Sequence, residues 1–343
     1  MRFDWEREAR MVSISEVAKD AGVSASTVSY VLSGKRSISA ETQRRVETSI
    51  RRLGYRPHAG ARALASSRTN VLALVMPLRT DIHMPAMMRF VTSVVTAARE
   101  HDYDVLLLTS DEGPAGLRRV ADSAMADAFL VMEVESDDPR IPVLRELSRP
   151  SVLIGVPDDP GGLACVDLDF AAAARRCVAE LAEAGHQDIA LIGSPPVVYE
   201  RGTSFAQRFL RGYDDATREH GLRAATRACA PDYDAVGECL EDLLTERPEL
   251  TGLVVHNEAA LGTVLAELRN RGRKVPEDIS VVAVGQDAAA HREVPLTTIP
   301  LPTEDMVRIA VELSMRALNG SNTPETRLLR PQISPGESVA QRR

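Results

Sequence analysis

Residues 13–39, SISEVAKDAGVSASTVSYVLSGKRSIS, constrain the fold more tightly than any other stretch of the chain. Ser13 is placed to cap a helix, with Glu16 three residues on as the reciprocal member of a capping box. Ile14, Val17 and Ala18 give that helix one apolar side. Gly22 then stands where the backbone must turn sharply, a position where a left-handed conformation costs glycine little. Ser24 can cap a second short helix, whose inward side is Val28 with Val31 or Leu32 and which ends at Ser33-Gly34. Ser39 opens a third helix, with Val46, Ile50 and Leu53 at helical spacing, closed by Gly54 and followed by Pro57. Two short helices across a tight turn, braced by a third, make a helix-turn-helix unit. Such a unit sets its second helix N-terminus first into the DNA major groove. The candidate DNA contacts are then Ser24, Ala25, Ser26, Thr27, Ser29 and Tyr30 on that helix, with Lys35, Arg36, Arg44 and Arg45 facing phosphates. The plain alternative is a three-helix scaffold with a solvated basic face; length, turn and charge together favour DNA.

The charge distribution points the same way. The 343 residues carry a formal net charge of -8, yet residues 13–69 carry ten Lys/Arg against four Asp/Glu, a net of +6. Residues 1–12 balance at zero and 70–343 hold the remaining -14. A small basic head on a large acidic body expects an anionic partner at the head alone. Beyond the head, RPHAGARALASSRTN is rich in helix formers, but Gly60 weakens a helix there by roughly 0.5–1 kcal/mol relative to alanine. Such a marginal helix forms when DNA or a partner chain holds it. Arg62 faces DNA in this reading, and Leu64 either wedges into a minor-groove step or packs on the protein.

From residue 70 the pattern changes to apolar strand runs between amphipathic helices: VLALVMP, YDVLLLTS, AFLVMEV and PSVLIGV, then DIALIG, GLVVHN and ISVVAVG. Fully apolar strands between such helices form parallel sheets covered on both faces. Two series imply a two-lobed α/β body, in which ligands bind in crevices beyond the carboxyl ends of strands. Strand ends and crevice loops offer Asp81, His83, Tyr199, Arg201, His256, Asn257 and Asp287. Asp81, Arg201, Asn257 and Asp287 supply directional hydrogen bonds suited to a hydroxyl-rich ligand, and Tyr199 offers a ring face. Against each stands the ordinary use of strand-end polar groups, capping helices or facing water.

Enzyme classes find little support. The chain lacks GxGxxG after its first strand, a GKS/GKT phosphate loop, HExxH and GxSxG. Its seven histidines and four cysteines show no metal-ligand spacing, so neither metal nor cofactor is expected. The cysteines read as thiols of a reducing cytoplasm. No run is long enough for a membrane span, and the first residues resemble no signal peptide.

The head ISEVAKDAGVSASTVSYVLSGKRSISAETQRRVETSIRRLGYRP, the segment ARALAS, and the late pieces TGLVVHNEAALG, VPEDISVVAVG and PLTTI resemble the lactose/galactose-repressor family of bacterial transcription regulators. The resemblance runs from about Ser13 to the C-terminus. It implies a cytoplasmic, non-enzymatic homodimeric repressor that reads a near-palindromic operator and answers to a small carbohydrate. A tetramer is not expected, since nothing after LLRPQISPGESVAQRR supplies a heptad bundle. It further implies a flexible tail at 1–12, a DNA-binding domain at 13–57 and a hinge helix and linker at 58–69. One lobe would span 70–167 with about 297–325, and the other 168–296 with about 326–343. Leucines of paired hinge helices, here Leu64, would enter the minor groove, and the helix around Met87–Arg99 would contribute to the dimer interface. The family pattern carries over only in part at the effector site. Asn257 stands where many members have aspartate. Phe209 takes the place of an arginine before Gly212-Tyr213, with Arg208 one residue off, and the usual GYDD reads GQDA. The stretches PLRTDIHMPAMMRFVTSVVTAAREHDYDVLLLTSDEG and SFAQRFLRG are most similar to the actinobacterial branch that answers to cellobiose and related β-glucosides. A sugar-binding protein without regulatory DNA binding, or a regulator of a non-sugar effector such as a nucleobase, are the other readings.

Overall fold

The computed structural model describes residues 12–33, 36–55, 68–79, 82–285, 294–321 and 323–342. Within the chain two units separate, residues 1–71 with 124–127 and residues 72–123 with 128–343.

The first unit is a three-helix head: α1 (Ile14–Ala21), α2 (Ala25–Ser33) and α3 (Ala40–Leu53). Ser13 and Glu16 form the complete capping box of α1, and Gly22 closes the helix at φ 64°, the left-handed conformation that glycine adopts most readily. Ser24 Oγ accepts the Thr27 amide at 3.1 Å and so caps α2, while Ser39 caps α3 through the Thr42 amide. Val17, Ala18, Ala21, Val28, Val46 and Tyr55 form the buried core. Val31 packs against that core and Leu32 lies exposed, which settles which of the two turns inward. The Asp127 carboxylate completes the unit, accepting from the Thr69 and Asn70 amides at 2.8 and 2.9 Å.

The second unit carries two parallel sheets. In chain order its elements are β1 (Val71–Val75), α4 (Met84–Arg99), β2 (Asp104–Leu108), α5 (Gly113–Asp122), β3 (Ala128–Val131), α6 (Arg140–Glu146), β4 (Ser151–Ile154) and β5 (Ala164–Leu168). There follow α7 (Phe170–Glu183), β6 (Asp188–Gly193), α8 (Pro196–Glu200), α9 (Ser204–Glu219), β7 (Arg223–Ala228), α10 (Tyr233–Glu246), β8 (Gly252–Val255) and α11 (Leu261–Asn270). The last elements are β9 (Ser280–Val284), β10 (Thr297–Ile299), α12 (Thr303–Leu318) and β11 (Thr326–Leu329). One sheet has the order β11-β5-β4-β3-β1-β2 and the other β10-β9-β8-β6-β7. The runs AFLV, GLVV and SVVAV are buried along their whole length, as strands covered on both faces must be.

The chain passes between the sheets three times. After β5 it moves to the second lobe, where α7 lies along α9. Gly212 permits that approach, since a Cβ there would stand 2.4 Å from the Ala171 carbonyl oxygen. The second and third crossings come later than the sequence boundaries near 297 and 326. Thr297–Ile299 still pairs with β9 in the second sheet, and Thr326–Leu329 pairs with β5 in the first. The intervening α12 packs on α4 and on β3, β4 and β5. The tail then returns to the second lobe, where the Ser334 amide donates to the Thr298 carbonyl at 2.7 Å and Val281 N–H to the Ser338 carbonyl at 2.8 Å.

Candidate functional site

The second helix of the head presents a polar surface. Ala25, Ser26 and Tyr30 are exposed, Thr27 and Ser29 are half-buried, and Ser24 Oγ also lies 2.8 Å from both Ser26 Oγ and Thr27 Oγ1. The α2 surface thus begins with a connected group of hydroxyls, able to donate or accept. Arg36 stands over the Tyr30 ring, its Cζ 5.8 Å from the centroid, which stiffens both without removing the guanidinium donors. Arg44 and Arg45 are exposed on α3. Lys35, Arg62, Leu64 and nearly all of the expected hinge segment lie outside the described residues.

In the second unit a cavity opens between the two lobes at the carboxyl ends of their strands. His83, Ala86, Met87 and Phe90 of the α4 region border it, with Met132, Glu133 and Val134 after β3 and Ile154 and Gly155 at β4. Across from them stand Ser194, Val198, Arg201, Phe205, His256, Asn257, Glu258, Val284 and Gly285. Asp167 and Phe170 lie at the first crossing, Leu301 and Met306 at the second.

Two charged groups flank the apolar interior. In one, Glu133 has a left-handed backbone, φ 52°, unusual for a residue with a side chain. Arg140 Nη2 holds its carbonyl at 2.8 Å, and its carboxylate lies 3.9 Å from both Arg79 and Arg201. Arg79 in turn grips Asp111 at 2.8 Å, which holds that carboxyl below the usual carboxylate range. In the other, Arg89 of the first lobe donates to Glu258 of the second at 2.7 Å, and His83 Nδ1 stands 3.7 Å from the same carboxylate. The lobes also meet through backbone: Ser136 N–H donates to the Gly202 carbonyl and Ser204 N–H to the Val134 carbonyl, at 2.8 and 2.9 Å.

Of the residues expected at the effector site, His83, Arg201 and Asn257 border the cavity. Asn257 is held by its own amide: Nδ2 donates to the Cys229 carbonyl at 2.7 Å, and Oδ1 accepts from Ala260 N–H at 3.2 Å. It therefore begins the turn into α11. Tyr199 is turned away, its hydroxyl accepting from Ser194 N–H at 3.2 Å, and does not border the cavity. Phe209 is fully buried behind the cavity wall. Its ring stacks on His256 with centroids 3.8 Å apart and planes 15° apart. Asp81 and Asp287 lie outside the described residues.

Arg208, one residue from the missing arginine, serves another end. It donates to Asp167 at 2.7 Å and to the Leu168 carbonyl at 2.9 Å, so it ties α9 to the end of β5. Burial lifts Asp167 to about 6 against the pull of Arg208. Glu133, Glu258 and Asp167 were not singled out in the sequence. Glu258 follows Asn257 directly, and its adjacency to a strand end was the one available signal. Among the described residues no cluster of three or more His, Cys, Asp or Glu could hold a metal, and no helix is long and apolar enough to cross a membrane.

A helix-turn-helix unit joined to a two-lobed body with an interlobe cavity defines a ligand-responsive DNA-binding regulator. Residues 13–58 match the model of bacterial regulatory proteins of the lacI family, and residues 178–339 that of the periplasmic binding protein-like domain. The chain belongs to the LacI family of bacterial transcription regulators. It is 30% identical over 332 residues to the HTH-type transcriptional regulator CelR of Thermobifida fusca, covering 93% of this chain and 96% of that one. A solved structure of a transcriptional regulator CelR–cellobiose complex is 27% identical, with a TM-score of 0.67 over 95% of this chain and 99% of that one. The lac repressor dimer bound to operator and the anti-inducer ONPF shares the fold, with a TM-score of 0.82 at 21% identity over 96% of this chain and 100% of that one. The head match sets aside the reading of a binding protein without regulatory DNA binding.

Proposed function

We propose that the chain is a homodimeric, cytoplasmic repressor whose affinity for a near-palindromic operator is set by a small carbohydrate between its lobes, cellobiose or a related β-glucoside. The observation that carries this is the interlobe cavity: an apolar interior flanked by Glu133 with Arg201 at one side and Asn257 with Glu258 at the other. Carbohydrates present apolar ring faces and hydroxyl edges, and both find counterparts there. The similarity to CelR of Thermobifida fusca, and to a solved CelR–cellobiose complex, supports that choice of effector.

The dimer is supported by the outer face of the first lobe. Met84, Met88 and Val95 are exposed along α4, and Leu107 is exposed on the edge strand β2. Leucine wedges from paired hinge segments, with Leu64 in that role, belong to the same proposal. A second reading has a specific observation behind it. Met87, Phe90, Met132, Phe205 and Met306 give the cavity a heavily apolar interior, which also suits a flat non-sugar ligand such as a nucleobase.

Fluorescence anisotropy of the full chain on a labelled duplex from its own upstream region, with and without millimolar cellobiose, tests the proposal. Specific binding that cellobiose weakens is expected. Specific binding indifferent to cellobiose would overturn the effector and bring nucleobases forward. Equal affinity for scrambled DNA, repeated after unbiased duplex selection, would overturn the operator-reading function.

A further inference from the structure

We propose that Cys229 and Cys239 form a peroxide-sensitive dithiol, which closes reversibly to a disulfide within the chain and loosens the second-lobe wall of the interlobe cavity.

Cys229 sits just past the edge strand β7, and Cys239 lies midway along α10. Both belong to one apolar cluster with Ile192, Val236 and Leu240. Cys229 Sγ lies 3.2 Å from the Ala230 carbonyl oxygen and 3.7 Å from that of Ala235, in the first turn of α10. Ala235 and Cys239 are four residues apart and so share a helix face, and helical side chains lean toward the N-terminus. The Cys239 sulfur is thereby brought back onto Cys229, within hydrogen-bonding reach. Cys165 and Cys177 are buried on other elements, in strand β5 and helix α7.

The pair is also chemically unequal. Burial pushes Cys165 up to about 12 and raises Cys177 as well. Cys239 goes the other way: the hydrogen bond from the Cys229 thiol and the Arg227 charge hold it below the ordinary thiol value, against its burial. Cys229, the donor of that bond, is raised and keeps its proton. The thiolate is the attacking form of cysteine. The Cys239 thiolate, 8% exposed at the edge of the lobe, attacks one oxygen of hydrogen peroxide, and the O–O bond breaks. Cys239 becomes a sulfenic acid, and the departing hydroxide takes up a proton from solvent. Cys229 sulfur then attacks the sulfenic sulfur; the S–O bond breaks, and the hydroxide leaves as water with the Cys229 proton. Two thiols have lost two electrons and one peroxide has become two waters. Exchange with a small dithiol reverses the step.

The backbone of Cys229 carries the effect to the cavity. Its carbonyl accepts from Asn257 Nδ2 at 2.7 Å, and its N–H donates to the Ser194 carbonyl at 3.3 Å. Ser194 and Asn257 border the cavity, as does Pro231 in the segment that the disulfide would enclose. A covalent S–S bond is far shorter than a contact between two thiols, so closure draws Cys229 toward α10 and strains both bonds.

The test uses the full-length protein, reduced and then exposed to a small excess of hydrogen peroxide, beside Cys229→Ala and Cys239→Ala. Thiols are labelled after denaturation and mapped by mass spectrometry. The wild type is expected to lose the Cys229 and Cys239 thiols together, as one cross-linked peptide pair within a single chain, and to regain both with dithiothreitol. Cys165 and Cys177 should stay free. In Cys229→Ala, Cys239 should stop at a sulfenic acid that dimedone traps; in Cys239→Ala, Cys229 should remain a thiol. Where circular dichroism shows an alanine variant unfolded, the serine variant replaces it, and the wild-type result stands by itself. Amide exchange of the ligand-free wild type should quicken on oxidation in the peptides holding Cys229 and Ala260, whose N–H groups lie on the affected bonds. Persistence of both thiols after the exposed Met84 and Met88 have become sulfoxides would overturn the proposal. Oxidation of either cysteine to a sulfinic or sulfonic acid with no cross-link would overturn it too. A disulfide that leaves amide exchange unchanged would overturn its connection to the cavity.

Discussion

At the scale of single residues, burial sets the protonation of several groups, and the consequences can be measured. His186 and His256 are lowered by burial to about 4 and about 3, His186 also by the nearby charge of Arg342. The unfolded chain protonates both near the ordinary histidine value of about 6.5. Their contribution to stability is therefore complete above about pH 6.5 and is lost as the pH falls toward their folded values. Asp167 runs the opposite way: lifted to about 6, it holds a proton in the folded state that the unfolded state has released. That recovers part of the loss below pH 6. Glu135 and Asp214, also raised by burial, add to that recovery, but the two large histidine shifts outweigh it, so the unfolding temperature should fall between about pH 6.5 and 4.5. Asp111 and Asp138, held below the usual carboxylate range by arginines, contribute to acid loss only below that window. His186→Gln should flatten the fall in scanning calorimetry; an unfolding temperature constant across the window would contradict this picture of the buried histidines. The sequence placed His256 beside the cavity, but nothing in it announced the ring stack. Phe170, Phe205 and Phe209 reach it from two other elements, and such a meeting is a property of the packed body. For Tyr199 too, the strand-end position was visible and the bond to Ser194 was not.

At the scale of elements, the head was legible nearly to the residue because caps and turns are local devices. Ser13, Ser24 and Ser39 each do the capping their positions imply. Most apolar strands were equally plain, but β5, Ala164–Leu168, went unread although it is buried along its whole length. What escaped was β7, Arg223–Ala228, whose sequence RAATRA has neither an apolar run nor a clean alternation. It lies at the edge of its sheet, half-buried at most, so one neighbouring strand suffices to hold a sequence with weak preference of its own. The short β10 and β11 were hidden likewise, and their sheet membership moved both later crossings. The contact between α7 and α9 was also invisible, since Gly212 reads as a weak point of a helix until Ala171 is seen against it. Gly212→Ala should destabilise the body by about 1–3 kcal/mol through overpacking. Urea unfolding would show a lower midpoint at an unchanged slope, and a wild-type midpoint would mean that α7 yields to the added methyl group.

At the scale of the whole molecule, two kinds of information were separable from the start: a +6 head and a -14 remainder from residue 70 on. The fold class and the helix-turn-helix followed from local pattern, and the family from the resemblance of the head and the late motifs. The effector did not, because recognition between lobes depends on side chains gathered from both sheets and from the crossings between them. Arg89 and Glu258, 169 positions apart in the chain, illustrate the difficulty. The central proposal is that the cavity and the head are thermodynamically linked. If cellobiose changes operator affinity by some factor, operator must change cellobiose affinity by the same factor. The most direct measurement is calorimetric titration of cellobiose into the free protein and into the protein saturated with operator duplex, at one salt concentration. The expected result is two different cellobiose affinities whose ratio equals the cellobiose-induced change in operator affinity. Equal cellobiose affinities with and without operator would contradict the linkage, leaving a cavity that binds sugar without governing DNA.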